Sequence, residues 1–142
     1  MSMPLPKTML LAVLVFVVAL SDFTVAVHGE SIVKVVNNLD GGLNLTLSCK
    51  YTPGGLNPPN VNSVLKSGET QELRLDVERI PFTTIGCTFK WAGHSHEFPV
   101  YINYRDFGYC RKKCTWSIKQ DKPCMVDADN FPDLHSCYPW NK

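Results

Sequence analysis

The residues of this 142-residue chain whose types allow chemistry are six cysteines, four histidines and a late cluster of aspartates. The cysteines are Cys49, Cys87, Cys110, Cys114, Cys124 and Cys137. An even set in a short chain reads as a disulfide framework when the compartment is oxidising. The competing reading is a zinc site on Cys110 and Cys114 with Cys124, Cys137 or a histidine. Zinc sites usually present tight pairs, CxxC twice or CxxC with HxxxH, whereas here one CxxxC is followed by isolated cysteines. Three disulfides are the expectation.

His94 and His96 form an HxH pair, which puts two imidazoles on one side of a strand and is a spacing that seeds metal sites. Only Glu97 stands nearby as a third ligand, so the pair reads as water-exposed hairpin histidines and no metal is expected. Asp121, Asp127, Asp129 and Asp133 offer carboxylate pairs of the kind used in glycoside hydrolysis, but they fall in a turn-rich tail. There is no GxSxG elbow, no glycine-rich phosphate loop and no cysteine left over to pair with a histidine as nucleophile. The chain is therefore expected not to be an enzyme and to need no cofactor.

Recognition has more support. Arg111, Lys112 and Lys113 make a basic run, with Arg105 close by and Tyr104, Phe107 and Tyr109 interleaved. Such a loop suits an acidic protein surface, the aromatic residues supplying buried area and the cations steering and register. The net charge of +1 gives no concentrated basic field, which argues against a nucleic-acid partner. Asn44-Leu45-Thr46 is an acceptor sequon, and Asn44 is expected to carry an N-glycan.

These residues depend on elements that the rest of the chain must supply. Lys7 followed by the uninterrupted apolar run Met9 to Leu20 reads as a secretory leader, residues 1–26, with cleavage near 26–29 after small residues. The run is about a dozen residues long, short of the roughly 20 that span a bilayer, so no membrane insertion is expected. The secretory route also supplies the oxidising compartment that the cysteines require. The remaining residues, 30–142, suffice for a single domain, expected to be a monomer.

Alternation of apolar and polar residues predicts strands at Ser31 to Val36, Leu43 to Lys50, Gln71 to Val77, Thr83 to Trp91, Glu97 to Ile102 and Cys114 to Lys119. Pro53, Gly54, Gly55, Pro58 and Pro59 make Tyr51 to Asn62 a surface loop, and the tail from Gln120 shows no clear period. The expected fold is all-β, a small antiparallel β-sandwich stapled by disulfides. Strand parity points Cys49, Cys87 and Cys114 inward, together with Ile85, Phe89, Trp91, Phe98, Val100, Ile102, Trp116 and Ile118. Fifteen pairings of six cysteines are open. A bond between Cys110 and Cys114 is disfavoured if both lie near an extended segment, because about four residues at roughly 3.3 Å each exceed the ~7 Å limit between Cα atoms.

Several pieces together resemble a known family. The start VxVxNxL, a strand ending SCK, then TTIGCTFKW, VYINYRD and CxxxCTW are similar to the plant self-incompatibility protein S1 family, or S-protein homologues, from about Ile32 to the end. The resemblance implies a small secreted β-sandwich; the founding members, in poppy, are stigma-secreted ligands that arrest self pollen. It also implies a cell-surface receptor protein as partner, for which the loop residues singled out above on their own chemistry, Tyr104, Arg105, Phe107, Tyr109, Arg111, Lys112 and Lys113, are the candidate contacts. The family's four cysteines map onto Cys49, Cys87, Cys110 and Cys114 and imply the nested pairs Cys49 with Cys114 and Cys87 with Cys110. Cys124 and Cys137 then form an extra pair that closes the tail, and the Pro-rich stretch Thr52 to Asn60 replaces a shorter charged segment of relatives. The alternatives to a signalling ligand are a secreted defence or inhibitor module and a minor cell-wall enzyme.

Overall fold

A computed structural model describes residues 29–129 and 131–140. The expected leader, residues 1–26, lies outside them. Nine strands are described: β1 (Ser31–Asn37), β2 (Leu45–Thr52), β3 (Val61–Leu65), β4 (Thr70–Leu75), β5 (Thr84–Trp91), β6 (His94–Ile102), β7 (Lys113–Ile118), β8 (Pro123–Ala128) and β9 (Ser136–Cys137). One helical turn, α1 (Asn103–Asp106), follows β6. The strands form a five-stranded sheet ordered β4-β1-β7-β8-β9 and a four-stranded sheet ordered β3-β2-β5-β6. The fold is the expected all-β sandwich. Its pairings are antiparallel except for β1 with β7, which run parallel with Val33 beside Cys114 and Val35 beside Trp116.

The inner faces follow the alternation read from the sequence. Val33 and Val35 of β1, Leu45, Leu47 and Cys49 of β2, Phe89 of β5, and Cys114, Trp116 and Ile118 of β7 are all fully buried between the sheets. Burial of this apolar surface is the main favourable term in folding. Asn37 ties the two sheets at one corner. Its Nδ2 donates to the carbonyls of Leu43 (2.8 Å) and Leu65 (2.9 Å), and its Oδ1 accepts from the Leu39 backbone N–H (3.1 Å). A buried amide is tolerated there because its hydrogen-bonding groups are matched, which explains the Asn in the VxVxNxL start.

Three expectations fail, each for a local reason. The register of β5 on β6 slips between Ile85 and Gly86, so that Ile85 faces Tyr101 while Gly86 faces Pro99. This bulge turns both Val100 and Tyr101 into the core and leaves Ile102 half-buried rather than inward. The predicted loop Tyr51 to Asn62 is shorter, since β2 runs to Thr52 and β3 begins at Val61. β3 escaped notice because Ser63 sits on its half-buried side and Val64 on its exposed side, the reverse of the usual pattern. β8 is interrupted by a second irregularity opposite Thr115 and Trp116, and three consecutive residues, Pro123, Cys124 and Met125, are buried. No two-residue period survives there to be read.

The disulfides are Cys49–Cys87, Cys110–Cys114 and Cys124–Cys137. The nested pairs implied by the resemblance are therefore corrected. Cys49 and Cys87 are register partners in the antiparallel pair β2/β5 and share its inner face, with Cα atoms 4.1 Å apart; each finds the other before it can reach the opposite sheet. Cys110 and Cys114 bond because the chain between β6 and β7 is not extended. The carbonyl of Asp106 accepts from the N–H groups of Tyr109 and Cys110, and beyond Cys110 the chain bends at Arg111 and Lys112, which leaves the two Cα atoms 4.9 Å apart.

Candidate recognition surface

The two ends of the sandwich differ in chemistry. β2 ends and β5 begins at the paired residues Thr52 and Thr84, and Thr84 also pairs with Ile102 at the end of β6. In the other sheet Ser31 pairs with Leu75, Ile32 with Lys113 and Cys114 with Ala128. The connections 53–60, 76–83 and 103–112, and the described residues 129 and 131–135 between β8 and β9, therefore all emerge at one pole. Side-chain contacts link them: Thr83 Oγ1 donates to Asn57 Oδ1 at 3.3 Å, and the rings of Tyr109 and Phe131 meet edge-on at 5.0 Å.

Seven large apolar side chains are exposed among the described residues, and six of them, Leu56, Phe82, Tyr104, Phe107, Tyr109 and Phe131, lie in these four connections. Phe82 is 82% and Tyr104 89% exposed, values that leave nearly the whole side chain free for a partner. Concentration of exposed aromatics is a mark of interaction surfaces, whereas scattered single residues are not. Leu56, Phe82 and Phe131 were not singled out in the sequence. Each stands alone among proline and glycine in a turn-rich stretch, GGLNPP, PF and FP, a pattern that marks an apolar residue no strand can bury.

The basic run lies at the same pole but is not a free ribbon. Asp129 accepts the backbone N–H groups of Lys112 (2.6 Å) and Lys113 (2.7 Å), which fixes the path of the loop while leaving both ammonium groups in water. Arg111 lies over the Phe107 ring at 5.3 Å and remains exposed.

Arg105 departs from the expectation. Its side chain is 14% exposed and points inward, so it is not a surface contact. The guanidinium lies 5.1 Å from the Phe98 ring, 5.0 Å from Trp116 and 5.1 Å from Tyr138. It donates to both carboxylate oxygens of Asp106 and to the Pro99 carbonyl, each at 2.7 Å. Asp106 in turn accepts the Ile102 N–H at 2.9 Å. The pair thus pins α1 between both sheets and the tail, and α1 carries the exposed Tyr104 and leads to Phe107 and Tyr109. Arginine suits this position because a planar guanidinium can stack and make a two-pronged bond at once.

The opposite pole carries Asn44, exposed in the coil before β2, with Thr46 outward beside the β5–β6 turn at Ala92 and Gly93. The sequon is thus accessible and far from the aromatic loops. His94 and His96 lie within β6 rather than in the turn. Their rings are parallel to within 7° at 6.4 Å, and His96 stacks on Trp91 (5.1 Å) and Trp140 (4.9 Å). Among the described residues no third His, Cys, Asp or Glu ligand atom gathers with this pair. Cys124, His135 and Cys137 also come together, but both sulfurs are joined in the disulfide.

Comparison with known proteins agrees with this architecture. The family model described as plant self-incompatibility protein S1 matches residues 32–140. S-protein homolog 2 of Arabidopsis thaliana is 32% identical over 114 residues, covering 78% of this chain and 68% of the relative. S-protein homolog 29 of the same plant is 29% identical over 132 residues, covering 92% and 93%. A solved structure of SPH (self-incompatibility protein homologue) proteins, described as a widespread family of small, highly stable, secreted proteins from plants, superposes with a TM-score of 0.53 at 18% identity. That likeness spans 80% of this chain and 96% of the solved one. The chain belongs to the plant self-incompatibility protein S1 family, the secreted, extracellular S-protein homologues of plants.

Proposed function

We propose that this chain is an extracellular signalling ligand that acts by binding rather than by catalysis, and that it engages a cell-surface receptor protein through its aromatic pole. The observation that carries this reading is the gathering of six exposed large apolar side chains, with Arg111, Lys112 and Lys113, at one end of a disulfide-held sandwich. A rigid scaffold presenting aromatic anchors loses little side-chain entropy on binding. The leader 1–26 delivers the chain, and a glycan on Asn44 keeps the opposite pole in solvent and leaves the aromatic pole free. Membership of the family makes pollen and pistil the tissues to test for recognition.

The test is saturable binding of the purified, oxidised, fluorescently labelled protein to intact pollen and pistil cells, followed by scoring of pollen growth. Saturable binding that is lost in Phe82→Ala and Tyr104→Ala supports the reading. Saturable binding to a microbial surface or a hydrolase, with none to plant cells, replaces it with the defence or inhibitor module.

A further inference from the structure

The three disulfides are not equally reachable. Cys49, Cys87, Cys110 and Cys114 are all 3% exposed or less, so neither of their bonds presents a sulfur to a reagent in water. Cys124 is nearly buried as well, but its partner Cys137 lies half-exposed on the two-residue strand β9 at the edge of its sheet. His135 is exposed and places Nε2 3.8 Å from the Cys137 sulfur. We infer that Cys124–Cys137 is a thiol-exchange site, and that an extracellular dithiol opens it while the other two bonds stay closed.

The exchange balances without any further reagent. One thiolate of the dithiol attacks the exposed Cys137 sulfur; the S–S bond breaks and Cys124 leaves as a thiolate with the electron pair. The second thiolate of the dithiol then attacks its own sulfur in the mixed disulfide and expels Cys137. The dithiol is oxidised to a disulfide, and the two protons it gives up end on Cys124 and Cys137. As an N–H donor beside the Cys137 sulfur, His135 draws the attacking thiolate to that sulfur in the first step and stabilises the Cys137 thiolate as it leaves in the second.

Opening this bond has a mechanical consequence. Apart from the disulfide, β9 is held by its short pairing with Cys124 and Met125, by the Tyr138 N–H to the Pro123 carbonyl at 3.1 Å, and by the Trp140 indole N–H to the Gln120 carbonyl at 3.0 Å. The same tail lays Tyr138 over Arg105, Phe98 and Trp116, and Trp140 over Phe89, Trp91 and His96. Once untethered, the tail lifts, Arg105 loses one of its three rings, and the segment from α1 to Cys110 is held less tightly. The disulfide therefore sets the order of the pole that carries Tyr104, Phe107 and Tyr109; this last step rests on the proposed recognition role.

The experiment treats the folded, oxidised protein with dithiothreitol in the absence of denaturant, quenches at intervals with iodoacetamide and maps alkylated cysteines by peptide mass spectrometry. Cys124 and Cys137 are labelled together, at least tenfold faster than any other cysteine, and His135→Gln slows that labelling several-fold. Equal or faster labelling of Cys110 and Cys114 overturns the site, and an unchanged rate in His135→Gln overturns the role of the imidazole. Tail release is read on the selectively alkylated protein as a red shift of tryptophan emission; an unshifted spectrum overturns the mechanical step. All three readouts use the free protein, so they stand or fall independently of receptor binding. Cell binding by the alkylated form, compared with the oxidised one, then tests the coupling: reduced binding supports it and equal binding overturns it.

Discussion

Arg105 and Asp106, neighbours in sequence, form a two-pronged ion pair with both bonds at 2.7 Å, in a place where the carboxylate is 1% exposed. A pair so enclosed is costly to break from one side, because the survivor is left charged and unpaired in a low-dielectric setting. Arg105→Ala is expected to lower stability by about 3–5 kcal/mol. Arg105→Lys recovers only part of this, since an ammonium cannot stack flat among three rings while bonding both oxygens. Urea unfolding of both variants checks the prediction, and a loss under ~1 kcal/mol in Arg105→Ala would falsify it.

Tyr101, buried below α1, has its phenol pushed up to about 12, first by burial and then by the negative charge of Asp106. A tyrosine that holds its proton harder when folded contributes fully below the unfolded value of about 10, and that contribution fades as pH rises through the folded value. Stability is therefore expected to fall between pH 10 and about 12. In Tyr101→Phe the decline over this window is shallower, at the cost of the hydroxyl's bond to Asn103 Oδ1. Denaturant midpoints measured across the window decide the matter; parallel curves for the two proteins would contradict it.

The disulfides should differ in what they contribute. Cys49–Cys87 spans 38 residues, Cys124–Cys137 spans 13 and Cys110–Cys114 spans 4. On chain entropy alone, their removal costs about 4, about 3 and about 2 kcal/mol in that order. Paired Cys→Ala variants compared by thermal unfolding test the ranking, which fails if the Cys110/Cys114 double variant is the least stable of the three.

Much of the scaffold was legible from alternation alone. β2 and β5 each have one dry face and one wetter one, and the parity of Leu45, Leu47 and Cys49, or in β7 of Cys114, Trp116 and Ile118, transfers directly to the core, although Ser117 on the other side of β7 is buried as well. Alternation fails where the backbone breaks step. The bulge at Ile85/Gly86 exchanged Ile102 for Tyr101, and the second irregularity hid β8. The cysteine pairing was illegible for a different reason: it depends on the register of β2 against β5 and on the bend at Arg111 and Lys112 held by Asp129, which are tertiary facts. The aromatic and basic residues of the stretch from Asn103 to Lys113 stand out in the sequence, but spacing cannot say which side chains turn inward. Arg105 reads like Arg111 until Phe98, Trp116 and Tyr138 converge on it from three distant segments.

The Asn44 sequon yields a simple expectation. Protein secreted from plant cells loses one glycan's mass in Asn44→Gln, while its thermal midpoint stays within about a degree or two, because Asn44 is exposed and lies outside the core. Unchanged mass after the substitution contradicts occupancy.

The central claim is that recognition belongs to the aromatic pole. It is tested most directly by measuring cell-surface dissociation constants for two sets of variants with matched folding. One set, Phe82→Ala, Tyr104→Ala and Lys112→Ala, alters the pole; the other, Ser48→Ala, Lys50→Ala and Thr88→Ala, alters the outward face of the four-stranded sheet. Loss of at least ~tenfold in affinity for the aromatic substitutions, with the sheet-face set unchanged, is the predicted result. Equal affinity across the pole variants, with loss confined to the sheet face, would contradict it.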